Sequence, residues 1–326
     1  MPPSVAPESL NPEFLNYAVQ HRESLAPGVW GVVATPFQGS TLDVDLDSLS
    51  ELVEHYEAIG ATGLTVLGVF GEAAALTAEE RRQVLETAVE CTALPLVVGV
   101  TALATRPAIE EVRAAQDVAG ERLAAVMVQA NSAKPETVTA HLDAIHRATG
   151  AKVVLQDYPL ASGVSIPTSA LIKVMASCDF VIAVKAEAPP TSVAIAELRA
   201  GVGISVFGGL GGQGLLDELM AGAAGAMTGF SYPEVLIACV RAWQQDGYEA
   251  AQRELLPYLP LINFEQQAKV ALAIRKECLR ERGLIKDSGV RAPAAGFPEV
   301  LRGSMGTHLR EAAAALENAT LPVRSF

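Results

Sequence analysis

The stretch Phe180-Val-Ile-Ala-Val-Lys-Ala186 has the composition of a β-strand buried on both faces, because every residue before Lys185 is apolar and three of them are β-branched. Such strands are typical of parallel sheets, and α/β proteins bind ligands at the carboxyl end of these sheets. Lys185 stands at that end. Burial favours the uncharged amine, which is the nucleophile that forms a Schiff base with a carbonyl compound. Lys185 is therefore a candidate nucleophile; the alternative is a lysine whose alkyl stem extends past the strand end into water.

Apolar runs of the same kind alternate with amphipathic segments along most of the chain, which is the pattern of stacked βα units. We predict strands at residues 31–34, 63–67, 96–100, 124–128, 152–155, 180–184, 204–207 and 225–227. One intervening helix places Leu49, Leu52, Val53 and Tyr56 on one face, and another opens with a capping box from Thr77 to Glu80. Eight such units predict an α/β TIM (β/α)8 barrel. A doubly wound sheet is the competing fold, but no GxGxxG motif follows the first strand.

The chain divides into three predicted regions. Residues 1–27 hold several prolines and form an N-terminal extension, residues 28–247 form the barrel, and residues 248–326 form a helical region packed on the barrel. This last region is too short for a core of its own.

Composition restricts the class of partner. The net charge is -13, and the 24 Lys and Arg residues are scattered, so we expect a small-molecule substrate and no nucleic acid. The four cysteines are widely separated, which predicts neither a zinc site nor a disulfide framework. No secretory signal or membrane-spanning stretch is recognisable, so we expect a cytoplasmic protein without a membrane partner. Neither a metal nor an organic cofactor is implied.

Polar or flexible residues follow most of the predicted strands. They include Thr35, the glycine-rich turn at residues 68–73, the segment 129–131, and the run Gln156-Asp-Tyr-Pro159. The glycine-rich turn at residues 68–73 is either a tight loop that starts a helix or a loop whose backbone amides bind a carboxylate. Because all strand ends meet at one face of a barrel, these residues would surround Lys185.

Several of these segments together resemble the dihydrodipicolinate synthase and N-acetylneuraminate lyase family. The similar segments are Thr35-Pro36, Gly68-x-x-Gly71-Glu72, Ala133-Lys134-Pro135, Tyr158-Pro159 with Gly163, Val184-Lys185 and Gly225-Ala-Met-Thr228. The resemblance implies a (β/α)8 barrel that usually assembles as a homotetramer. It also implies that Lys185, on strand six, forms a Schiff base with pyruvate or another 2-keto acid.

Two departures from the family pattern affect proton transfer. Most members carry two threonines in the turn after strand two, where this chain has Val69 and Phe70. The gapless match around residues 124–135 places Asn131 where the resemblance implies a catalytic tyrosine, and an amide does not titrate. Tyr158 is the best candidate to take over the acid–base role of that tyrosine; the alternative is that Tyr158 only packs in the barrel rim. Asp157 and Glu187 are further candidates for the acid–base role.

The resemblance is strongest to the 2-keto-3-deoxy-pentonate (ketodeoxyarabonate) dehydratase branch. We therefore predict a class I, Schiff-base lyase acting on a 2-keto acid, of dehydratase or aldolase type. One alternative is a catalytically inactive member that binds a keto acid or sugar acid, and another is a dihydrodipicolinate synthase. The predicted catalytic residues are Lys185, Tyr158 and Asn131, and the predicted substrate-binding residues are Thr35, Val69, Phe70, Gly71, Gly208, Gly209 and Thr228.

Overall fold

The computed structural model describes residues 23–320 of the chain. Eight parallel strands close into a barrel in the order β1-β8-β7-β6-β5-β4-β3-β2, so the predicted TIM barrel is confirmed and the doubly wound sheet is excluded. The strands are β1 Gly28–Val32, β2 Gly63–Val66, β3 Leu96–Val100, β4 Leu123–Gln129, β5 Val153–Asp157, β6 Val181–Ala186, β7 Ser205–Gly208 and β8 Gly225–Thr228.

The barrel closes between β1 and β8, where two glycines allow a close backbone approach. Gly28 pairs with Gly225, and their φ angles of 138° and 146° are ones that side-chain-bearing residues rarely adopt. A Cβ on Gly225 would overlap the backbone of Gly28. Because of this pairing, β1 begins at Gly28, three residues before the predicted strand at 31–34.

Helices cover the outside of the barrel. They are α1 Leu46–Ala58, α2 Ala78–Cys91, α3 Thr105–Ala119, α4 Pro135–Thr149, α5 Thr168–Ser177, α6 Thr191–Gly201, α7 Leu215–Met220 and α8 Pro233–Asp246. The predicted face of α1 is buried, and the predicted capping box of α2 is present. A two-stranded antiparallel hairpin, Phe37–Gln38 with Asp43–Val44, follows β1 and was not predicted.

The C-terminal region consists of α9 Tyr248–Leu255, α10 Leu259–Glu265, α11 Ala271–Glu281 and α12 Arg302–Thr320. Apolar residues of all four helices belong to the same core as the barrel. Helix α11 also lies against the carboxyl ends of the strands, because Lys276 Nζ donates to the carbonyl oxygen of Thr35 at 2.9 Å. The region therefore shares the core of the barrel and lies in part against the carboxyl ends of its strands.

The predicted N-terminal extension comprises residues 1–27, of which residues 1–22 lie outside the described part of the chain. Among residues 23–320, no helix combines the length and the apolar character needed to cross a bilayer.

Candidate active site

Lys185 lies in β6, one residue before its end, between Gln156 of β5 and Phe207 of β7. Its ammonium nitrogen is 3.1 Å from Glu187 Oε2, and the two side chains are only 7% and 5% exposed. The lysine therefore ends in a buried ion pair and does not extend into water. A buried ammonium next to a carboxylate can transfer a proton to it, and the free amine that results is a nucleophile.

Glu187 is held in place from two sides. Its Oε2 accepts a hydrogen bond from Gln156 Nε2 at 2.7 Å, in addition to the contact with Lys185. Gly209 leaves the room that the carboxylate occupies, because a Cβ there would lie 2.6 Å from both Cδ and Cγ of Glu187. The absence of a side chain at Gly209 thus serves the orientation of Glu187.

A second buried carboxylate, Glu218 of α7, lies against the neighbouring glycine. Its Oε1 accepts a hydrogen bond from Thr191 at 2.7 Å, and a Cβ on Gly208 would overlap its carboxyl group. Burial raises the pKa of Glu218 to about 7. Sequence analysis missed this residue, although its helical spacing with Leu215 and Leu219, both buried, indicates an inward-facing side chain.

Asp157, at the end of β5, is a third buried acid. Burial and, to a smaller extent, the nearby charge of Glu187 raise its pKa to about 6. The carboxyl groups of Asp157 and Glu218 therefore titrate close to neutral pH. Groups with this property can donate and accept protons under physiological conditions.

A cavity of about 150 Å³ opens beside Lys185, at the carboxyl ends of the strands. It is lined by Val32, Val69, Phe70, Met127, Gln156, Tyr158, Lys185, Glu187, Leu210, Thr228, Gly229, Gln266, Ala271, Leu272 and Arg275. Five of the predicted site residues are in this lining: Lys185, Tyr158, Val69, Phe70 and Thr228. The other five are Asn131, Thr35, Gly71, Gly208 and Gly209, and they lie outside it.

Asn131 is bonded to a neighbouring loop. Its Nδ2 donates to the carbonyl oxygen of Leu103 at 2.9 Å, which ties the loop after β4 to the loop after β3. The amide that lines the cavity next to Lys185 is instead Gln156, at the end of β5. The sequence indicates Gln156 as a strand-end residue, and its place beside Lys185 follows from the pairing register of β5 and β6.

Thr35 and Gly71 shape the turn after β2. Thr35 Oγ1 donates to the carbonyl oxygen of Gly71 at 2.7 Å, and Lys276 bridges Thr35 to the buried Glu72 at 2.9 Å. Within residues 23–320, the backbone N–H groups of Val69, Phe70 and Gly71 donate no hydrogen bond. The turn is therefore fixed in place, and these three N–H groups have no partner within the described residues.

Tyr158 lines the cavity at the start of a one-turn helix, Pro159–Ser162. Burial and the nearby charge of Glu187 raise its pKa above the ordinary value, and Arg275 opposes the shift. A phenol with a raised pKa remains protonated at neutral pH. Tyr158 can therefore donate a proton or a hydrogen bond in the cavity, but it is a poor base.

Sequence analysis proposed no site residue beyond residue 247, yet Gln266, Ala271, Leu272 and Arg275 complete the cavity. The guanidinium of Arg275 lies 5.5 Å from the centre of the Phe70 ring. No local pattern predicts these positions, since they depend on how α11 packs across the barrel. Among residues 23–320, no three His, Cys, Asp or Glu side chains are grouped so that they could hold a metal ion.

Comparison with known proteins agrees with the barrel fold. The sequence model of the Dihydrodipicolinate synthetase family matches residues 26–312. The chain is similar to L-2-keto-3-deoxyarabonate dehydratase of Azospirillum brasilense, with 30% identity over 279 residues that cover 82% of this chain and 88% of the relative. A mitochondrial protein of Coccidioides immitis (strain RS), provisionally named 4-hydroxy-2-oxoglutarate aldolase, is 29% identical over 63% of this chain and 67% of its own length.

Among solved structures, dihydrodipicolinate synthase from Rhodopseudomonas palustris superposes with a TM-score of 0.81 and 28% identity, over 89% of this chain and 99% of that one. The three relatives are named as a dehydratase, an aldolase and a synthase, so the predicted lyase class is confirmed at the level of the family. The matched segment spans the whole barrel and most of the C-terminal region. The chain therefore belongs to the Dihydrodipicolinate synthetase family.

Proposed function

We propose that the protein is a class I lyase that forms a Schiff base between Lys185 and a 2-keto acid, and that it acts as a dehydratase or an aldolase. The observation that carries the proposal is the buried ion pair of Lys185 and Glu187 on the wall of a cavity at the carboxyl end of the barrel. The similarity to a named 2-keto-3-deoxyarabonate dehydratase supports the same class of substrate.

The first step is the activation of the amine. Glu187, 3.1 Å away, takes a proton from the ammonium of Lys185, and the free amine attacks the keto carbon. The carbon–nitrogen bond forms, the keto oxygen leaves as water after receiving two protons, and a protonated imine remains. Glu187 and Tyr158 line the cavity and are the groups placed to supply these protons.

The second step uses the imine as an electron sink. The protonated imine acidifies the adjacent C3–H bond, and loss of that proton to Glu187 gives an enamine. In the dehydration, the C4 hydroxyl then takes up a proton, leaves as water, and hydrolysis of the imine releases the product and Lys185. In the aldolase route C3–H stays in place: the C4 hydroxyl loses its proton, the C3–C4 bond breaks to give an aldehyde, and the electrons of that bond form the enamine, which is protonated and hydrolysed to release the shorter keto acid. The free N–H groups of Val69, Phe70 and Gly71 would hold the substrate carboxylate during both reactions.

Borohydride trapping tests the proposal. The protein is incubated with pyruvate and a panel of 2-keto acids, reduced, digested and analysed by peptide mass spectrometry. We expect a stable adduct on Lys185 and none on Lys276, which is a buried lysine outside the cavity lining and therefore an internal control. Absence of a Lys185 adduct with every keto acid would rule the proposal out.

Two alternatives are separated by further measurements. A barrel that only binds a keto acid would gain thermal stability from the ligand without releasing an aldehyde or a dehydrated product. A dihydrodipicolinate synthase would restore growth to a lysine auxotroph. We also infer a cytoplasmic homo-oligomer, dimer or tetramer, which light scattering after gel filtration would measure.

A further inference from the structure

Arg275 is a cation of the active-site cavity that lacks a full set of partners. Its side chain is 12% exposed, and its Nε donates no hydrogen bond within the described part of the chain. The nearest recorded carboxylate is Glu265 Oε2, 3.9 Å from Nε, which is beyond hydrogen-bonding distance. Burying a guanidinium with this little compensation is costly, so a ligand anion is a natural partner for it.

Glu265 neutralises Arg275 only in part at neutral pH. Its carboxyl group is completely buried and accepts hydrogen bonds from the hydroxyl and backbone N–H groups of Ser231. Burial raises the pKa of Glu265 to about 7 despite these bonds, so a large fraction of the group is uncharged near pH 7. The cavity consequently retains much of the positive charge of Arg275.

A second unpaired donor stands beside the guanidinium. Gln266 Nε2 is buried without a hydrogen-bond partner among residues 23–320, and Gln266 lines the same cavity. Both side chains approach Gly211 in the loop after β7: a Cβ there would overlap Gln266 Nε2 and would lie 3.1 Å from Arg275 Nη2. The two donors are therefore neighbours.

We infer that Arg275 and Gln266 form a second anion subsite, and that this subsite selects 2-keto acids that carry another carboxylate at the end remote from the keto group. The inference rests on the proposed function, in which the keto carbon faces Lys185 and its adjacent carboxylate occupies the turn at Val69–Gly71. Because the N–H groups of that turn bind the carboxylate next to the keto group, the guanidinium of Arg275 is left to bind a different anion. A substrate whose remote end is a neutral hydroxyl group would leave the guanidinium unpaired, and it would therefore bind less tightly.

Phe70 contributes to the same subsite. Its ring lies 5.5 Å below the Arg275 guanidinium and packs against Gly229, where a Cβ would be 2.5 Å from Cε1. An arginine above an aromatic ring gains a cation–π interaction that restricts its orientation. Phenylalanine in this turn therefore positions the arginine in addition to replacing a hydroxyl side chain.

A matched pair of ligands tests the inference. 2-Oxoglutarate and 2-oxopentanoate have the same chain length and differ only in the remote carboxylate. In borohydride trapping of Lys185, we expect half-saturation with 2-oxoglutarate at a concentration at least 10-fold lower than with 2-oxopentanoate. In Arg275→Gln the difference should fall below 2-fold, and a cooperative urea-unfolding transition shows separately that the variant is folded.

Arg280→Gln is the control, because Arg280 lies on the same helix but binds Glu277 and Glu281 outside the cavity. It should keep the preference for 2-oxoglutarate. Equal half-saturation for the two acids in the unmodified protein would overturn the inference. So would an equal loss for both acids in Arg275→Gln, since the arginine would then bind the carboxylate next to the keto group.

A measurement without imine chemistry separates the subsite from the proposed function. Glutarate, which has two carboxylates and no keto group, should raise the Tm of the unmodified protein and of Arg280→Gln, but not that of Arg275→Gln. If no keto acid is trapped and glutarate still stabilises the protein through Arg275, the lyase proposal fails and the subsite stands. If glutarate has no effect and 2-oxopentanoate is trapped as well as 2-oxoglutarate, the subsite fails alone.

Discussion

A methyl group at Gly209 should displace Glu187, the carboxylate that we propose activates Lys185. In Gly209→Ala the new Cβ would lie 2.6 Å from Cδ and Cγ of Glu187, whereas carbon atoms in contact are about 3.5 Å apart. Glu187 must therefore move by about 1 Å. A shift of that size away from Lys185 lengthens the 3.1 Å contact beyond hydrogen-bonding distance.

We expect imine formation on Lys185 to slow by about 100-fold, the effect of misplacing a reacting group by about 1 Å. The crowding should also lower the free energy of unfolding by about 1–3 kcal/mol. The assay is the rate of borohydride-trapped adduct with pyruvate, together with urea unfolding.

Gly303→Ala is the matched control, because a Cβ at this position in α12 meets no atom within 4 Å. It should trap pyruvate at the unmodified rate. If Gly209→Ala is folded and forms the adduct as fast as the unmodified protein, the position of Glu187 does not limit the activation of Lys185.

Three further substitutions probe the charges around the site. Glu187→Gln keeps the shape of the side chain but cannot accept a proton, so the rate of imine formation at pH 7 should fall by about 100-fold or more. The difference from the unmodified protein should become smaller at higher pH, because hydroxide replaces the missing base. Asp157 has its pKa raised from 3.8 to about 6, so the folded state binds more protons within that window and stability falls as pH rises through it. Asp157→Asn should therefore raise the free energy of unfolding at pH 8 by up to about 3 kcal/mol, with no gain below about pH 4. Urea unfolding at the two pH values measures this, and an equal gain at both would contradict the raised pKa of Asp157. Lys276→Met leaves the buried carboxylate of Glu72 without its ammonium partner and should cost about 3–5 kcal/mol in urea unfolding. The double variant with Glu72→Gln should recover part of that loss, and additive losses would show that the two charges are not coupled.

The barrel was predictable because its signal is local. Each strand is a short apolar run, and each helix carries its own capping and periodicity, as at Thr77 and in the buried face of α1. Strand ends were less certain, since pairing sets them: the contact between Gly28 and Gly225 begins β1 earlier than its apolar run indicates.

The site was predictable only in part. Val69, Phe70, Tyr158 and Thr228 line the cavity as expected, because each follows or ends a strand whose carboxyl end faces the site. Asn131 was placed at the site by a sequence match, but its amide is bonded to the loop after β3.

By itself, the sequence determined the (β/α)8 fold and identified Lys185, because a single charge in a buried apolar strand is an anomaly that can be seen without knowing its neighbours. Only the tertiary structure decided what surrounds that charge. Glu187 and Gln156 converge on Lys185 through the register of adjacent strands, and Arg275 reaches the same cavity from a helix 90 residues further along the chain. Such contacts follow from barrel closure and helix packing, which bring together residues that no local periodicity connects.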